Sequence, residues 1–132
     1  MLAQRVRSLY QAQFGHQPGK TTCQLFDEKL AIFLENAITP PEQLLVDSGR
    51  RELVRQIRAN LDDIIQPHLK ALIEEITRVS VSDLLTAAQL DTGRIGIMAV
   101  LTERPQLYQD DLDPSDTPLV DEPAGANESS AV

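Results

Sequence analysis

The chain has 132 residues, 12 basic and 20 acidic side chains, one cysteine, eight prolines and a formal net charge of −8. That length predicts one domain with or without a tail. The lone Cys23 excludes an internal disulfide and a cysteine-rich zinc site, and no apolar run approaches the ~20 residues of a membrane-crossing helix.

Charge divides the chain. Eight acids lie from Glu103 onward with only Arg104 against them, so residues 1–102 carry −1 and residues 103–132 carry −7. This balance disfavours direct binding to nucleic acid. Residues 1–14 contain Arg5 and Arg7 but no continuous apolar core with a small-residue cleavage site, so no secretory leader is expected. With a lone thiol, this predicts a cytoplasmic protein.

Leu2, Val6, Leu9 and Tyr10 recur at helical spacing and predict an amphipathic helix over 2–13, stopped by Gly15 and Pro18. Residues 21–26 and 30–35 alternate and predict a β-hairpin, with Leu30, Ile32 and Leu34 on one face and Asp27-Glu28-Lys29 at its tip. Thr39-Pro40-Pro41-Glu42 is a helix start: a hydroxyl cap, proline where no amide partner is needed, and a carboxylate three residues on. It opens a short helix to about Asp47, with Leu44 and Leu45 expected inside.

A long helix is predicted from Arg50 to about Thr77, with an apolar stripe of Leu53, Ile57, Leu61, Ile64, Ile65, Leu69, Leu72, Ile73 and Ile76. Pro67 interrupts it and predicts a kink or two helices meeting near Gln66. Two more strands follow over 79–88 and 94–102, joined by Asp91-Thr92-Gly93. The nearly all-apolar second one reads as a central strand, or one covered on both faces, and its Gly96 as a bulge or a close approach. Residues 103–132 hold four prolines and the acid excess, which predicts a disordered acidic, Pro-rich tail.

The expected architecture is thus α+β: helix, β-hairpin, short helix, long helix, β-hairpin, with a four-stranded antiparallel sheet carrying its helices on one face. A sheet covered on one side also suggests a homodimer. The domain is expected to span 1–102.

Few residues suggest chemistry. Gly15-His16-Gln17-Pro18-Gly19-Lys20-Thr21 imitates a phosphate loop, but it is one residue short, and a helix precedes it where a strand belongs. His16 and Lys20 stay as candidates for a sensor loop binding a nucleotide or another small molecule. His16 and His68 lie on different elements without a ligand partner in sequence. Cys23, in a strand, reads as a small buried hydrophobe. Glu74-Glu75 and Asp62-Asp63 diverge by about 100° within each pair and read as surface acids.

Arg50, Arg51, Arg55 and Arg58 cluster at the start of the long helix. Arg51, Arg55 and Arg58 share a face, with Asp62 placed to pair with Arg58. They are read as a solvated face and as candidates for binding an acidic partner, an anionic surface or the acidic tail. No cofactor, metal or catalytic residue is predicted.

The ordered set of signals is similar to the MpsC-like family, a small prokaryotic domain named for an Na+-translocating, membrane-potential-generating system. It is carried by Leu9-Tyr10, Phe14-Gly15, Pro18, the strand Leu30–Leu34, Ile38-Thr39-Pro40-Pro41-Glu42, Leu44-Leu45 and Gly49-Arg50. Leu53-Val54, Ile57-Arg58, Pro67, Leu69, Ile73-Glu74, Val79 and Asp91-Thr92-Gly93 continue it to about Leu101. Gln17, where the family often has glycine, and the acidic tail depart from the pattern. The resemblance implies a non-enzymatic accessory or regulatory module with a protein partner. That partner would be a subunit of a membrane ion-transport or inorganic-carbon uptake system, placing the module in the cytoplasm at the inner face of the membrane.

Overall fold

The computed structural model describes residues 1–112, so the tail expected over 103–132 lies outside the described residues from 113 onward. The element order is α1 (Leu2–Phe14), β1 (Thr21–Phe26), β2 (Lys29–Leu34), α2 (Pro40–Asp47), α3 (Arg51–Thr77), β3 (Val81–Gln89), β4 (Arg94–Leu101) and α4 (Gln109–Leu112). The strands form one antiparallel sheet in the order β1-β2-β4-β3. This is the α+β arrangement of hairpins and helices that the residue pattern predicts.

Register fixes which face is buried. Cys23, Ile32 and Ile97 pair across the sheet, as do Thr21, Leu34 and Ile95, and Leu25, Leu30 and Ala99. Because side chains alternate with period two, these rows share one face. They pack with Leu2, Val6 and Tyr10 of α1 and with Ile65, Leu69 and Ile73 of α3 in one core. Leu112 joins that core, and α4 lies beside β1 and α1.

Local chemistry explains the turns. Gly15 takes a left-handed φ of 72° and its N–H donates to the Gln11 carbonyl, ending α1. The first hairpin is tighter than its sequence suggests. Phe26 pairs with Lys29, so Lys29 opens β2 and only Asp27 and Glu28 make the turn, with Asp27 at φ 57°. A two-residue connection matches strand twist better than three, and aspartate tolerates positive φ.

Two helices sit at a different rotation from the one their apolar residues suggest. In α2 the buried residue is Glu42, while Leu44 is exposed and Leu45 half-buried. Leu44 follows Glu42 by two positions, about 200° around the helix, so burying one exposes the other. In α3 the buried stripe is Val54, Arg58, Ile65, Leu69, Leu72 and Ile73, and Leu53 and Ile64 face out. The helix runs unbroken through Pro67 rather than splitting near Gln66. Pro67 and Asp63 are both exposed, so the missing backbone bond falls on the side where water can reach the Asp63 carbonyl.

β3 starts at Val81, two residues later than expected. Arg78 is left-handed, the Val79 N–H donates to Thr77 Oγ1, and the Val81 N–H donates to Glu74, so residues 78–80 are used to close α3. The irregularity in the sheet lies between Val81 and Asp83, at Ser82, and not at Gly96. Gly96 instead lies beneath the Phe33 ring. β4 is central, yet the described residues cover only one of its faces.

Candidate functional site

Two surfaces stand out: a polar cleft on the helix side and an apolar expanse on the opposite side of the sheet. The cleft lies between the first half of α3 and the end of β3. Arg51, Arg55, Arg58, Ala59 and Asp62 form one wall, Thr86 to Leu90 the other, and its volume is about 380 Å³. The spacing of Arg51, Arg55 and Arg58 puts them on one face, and the structure brings all three to this one cleft.

They are not equivalent. Arg51 is bonded to Asp91, across from β3, and Arg55 pairs with Glu52 at 3.5 Å in the open. These acids offset the cost of basic side chains at the positive end of a helix. Arg58 departs from the expected solvated face, since its side chain is only 5 % exposed. It sits four residues after Val54 and seven before Ile65, on the buried stripe itself, and α2 closes over it.

Burial of Arg58 is matched by partners. Its Nη1 donates to Glu42 Oε1 at 3.3 Å and Oε2 at 3.4 Å. Its Nη2 lies 3.5 Å from Asp62 Oδ1, the predicted i,i+4 pair. Its Cζ lies 5.8 Å from the centroid of the Phe14 ring, within cation–π reach. Glu42 serves a second task, accepting from the Thr39 N–H at 3.1 Å and Oγ1 at 2.8 Å, while its own N–H donates to Thr39 Oγ1. The capping box of α2 and the buried arginine of α3 therefore share one carboxylate.

Saturation is incomplete. Arg58 Nε and Nη2, Asp62 Oδ1 and Tyr10 Oη are buried without a hydrogen-bond partner in the structure. Burial pushes the Asp62 carboxyl up from its ordinary value, against the pull of Arg58. Burial likewise pushes the Tyr10 phenol well up, so it keeps its proton.

The outer sheet face is different in kind. Ala31, Met98 and Leu85 form one cross-strand row and Phe33, Gly96 and Ala87 the next. Phe33 is 55 % exposed and Leu85 63 %. Lys29, Val100 and Asp83 form the next row beyond Ala31, and the Arg94–Glu35 ion pair lies at the Phe33 end. Contiguous apolar side chains on a rigid sheet, rimmed by charge, are a common mark of a protein-binding surface.

The remaining candidates fall elsewhere. His16 Nε2 bonds the Asn36 carbonyl at 2.9 Å, and Lys20 is exposed. The amides of Gly15 and Gly19 donate to Gln11 and Glu35 carbonyls, so two donors that a phosphate loop would need are already engaged. His68 lines a separate surface hollow with Arg5 and Glu75. Cys23 is buried in the core. The structure does not bring these four together. Among the described residues no group of three or more His, Cys, Asp or Glu could hold a metal ion. No helix among them is long and apolar enough to cross a membrane.

A family model described as "Na+-translocating membrane potential-generating system (MpsC)" matches residues 1–103. No curated protein and no solved structure matches.

Proposed function

The chain belongs to the MpsC family of the Na+-translocating membrane potential-generating system, and from that premise we propose that it is a non-enzymatic accessory module that docks onto a protein subunit of such a system. The observation that carries this reading is the apolar sheet face that the described residues leave uncovered, with Phe33 and Leu85 more than half exposed on a sheet whose other face carries the helices and the core. A module with no membrane-crossing helix among its described residues can still act at a membrane by binding an embedded partner. Its place would then be the cytoplasmic side. Arg51 and Arg55, at the cleft mouth, add a basic contact for an acidic part of that partner.

A small-molecule sensor working through residues 15–21 is disfavoured by the engaged amides of that loop. A homodimer through the same sheet face is the second reading, favoured by the one-sided cover of β4. The test uses the full chain and its Phe33→Asp/Leu85→Asp variant, mixed with membranes that contain the Na+-translocating system. Both positions are exposed, so the variant should fold, and it should lose at least about tenfold in membrane-bound fraction, the effect of losing a buried hot spot. Equal binding of the two proteins overturns the docking reading, and sedimentation of the isolated chain as a dimer that Phe33→Asp dissolves favours the second.

A further inference from the structure

The helix-side cleft carries an inference that does not rest on the apolar docking face, which lies on the opposite side of the sheet; the two readings share only Arg51 and Arg55 at the cleft mouth. A guanidinium binds planar and tetrahedral oxyanions through paired N–H groups, and the Nε–H and the adjacent Nη2–H point the same way to form its lateral fork. In Arg58 the Nη1 side is held by Glu42, whereas Nε and Nη2 are the two nitrogens without a hydrogen-bond partner. This fork is on a side chain 95 % buried that lines the cleft. Leaving such donors unfilled is costly, so a group that enters and fills them is favoured.

Beside the fork is an acceptor in the same condition. Asp62 Oδ1 lies 3.5 Å from Arg58 Nη2, also without a hydrogen-bond partner, and Thr86 of β3 lines the same cleft. A bare anion would meet repulsion from that oxygen. An anion that still carries a hydroxyl would not, because it can accept from the guanidinium and donate to Asp62. We propose that the cleft binds a small oxyanion that keeps a hydroxyl, its oxygens on the Arg58 Nε–Nη2 fork and its hydroxyl donating to Asp62 Oδ1. Hydrogenphosphate has this chemistry and sulfate at neutral pH does not. Arg51 and Arg55 stand at the entrance, held only by ion pairs with exposed acids, which are weak enough to yield to an incoming anion.

The test is a titration of the full chain, with the arginine Nε–Hε resonances followed by NMR, using sodium phosphate and, at matched ionic strength, sodium sulfate and chloride. The Arg58 Nε–Hε signal should shift saturably with phosphate, and sulfate should bind at least about tenfold more weakly, the order of one charge-assisted hydrogen bond. Arg55→Ala should weaken phosphate binding several-fold on an unchanged fold. Asp62→Asn should bring sulfate up to the level of phosphate, because an amide can donate where a carboxylate cannot. An Arg58 signal unmoved by phosphate at about 20 mM, an affinity too weak to matter, overturns the proposal: the fork is then filled by water. A signal moved equally by all three salts overturns it too, because the effect is then one of ionic strength.

Discussion

Arg58 of α3 and Glu42 of α2 form an ion pair in which each side chain is only 5 % exposed, with Nη1 at 3.3 and 3.4 Å from the two carboxylate oxygens. The same carboxylate completes the capping box of α2. One buried contact therefore sets both where α2 starts and how it sits on α3. Removing one partner of such a pair strands a buried charge, at a cost of about 3–5 kcal/mol. Glu42→Gln and Arg58→Met should each destabilise by that order in urea unfolding, and the double variant by clearly less than the sum. Additive losses would show that the two groups act separately.

Thr39 tests the cap alone. Its hydroxyl accepts from the Glu42 N–H and donates to the Glu42 carboxylate. Thr39→Ala should cost about 1 kcal/mol and Thr39→Ser much less. Equal losses from the two substitutions would place the effect in the methyl group and not in the cap.

Asp62 gives a pH dependence with a definite sign. Burial raises its folded-state value above the ordinary 3.8, so the folded chain holds that proton more tightly than the unfolded chain. Below 3.8 both states are protonated and Asp62 contributes nothing to the slope. As pH rises from there through the raised value, the unfolded chain ionises first and stability falls; above it the full penalty persists. Asp62→Asn should remove this fall from a series of urea midpoints measured across pH. An unchanged slope would mean that the carboxylate is already fully relieved by Arg58.

Pro67 predicts an increase in stability. It lies within the 27-residue α3 and is exposed, so Pro67→Ala can restore the bond to the Asp63 carbonyl without opening a cavity. The gain should be positive and below the ~3 kcal/mol that separates the two residues in a free helix. Destabilisation would show that the core on either side of residue 67 depends on the proline geometry.

Much of this fold is written locally. Thr39-Pro40-Pro41-Glu42 specifies its own helix start, and the capping box forms as the residue types require. Gly15 and Gly93, at φ 72° and 74°, mark turns that a Cβ would strain. Alternation in residues 29–34 and 94–101 places the inner face of the sheet correctly. What is not local is the rotation of α3. Its sequence carries more apolar residues than one face can bury, and Leu53 and Ile64 lose to Val54 and Ile65. The result draws Arg58 inward. A signal existed in the spacing Val54, Arg58, Ile65, Leu69, a continuous helical stripe if an arginine is admitted to it. The partner that makes it admissible, Glu42, lies 16 residues away on another helix, and only tertiary structure joins them. The openness of the second sheet face is not legible in β4 alone, where residues on both faces are apolar; it follows from the expected layering of the helices on one face of the sheet.

The docking role of that face is tested most directly by methyl NMR of the full chain, following Leu85 and Met98 on the outer face and Leu69 and Ile73 in the core. The titrant is the detergent-solubilised membrane subunits of the Na+-translocating system. Docking through the sheet predicts that the Leu85 and Met98 signals broaden or shift with saturation while the core signals hold still. Saturable shifts confined to other surfaces, with Leu85 and Met98 unmoved, would contradict it.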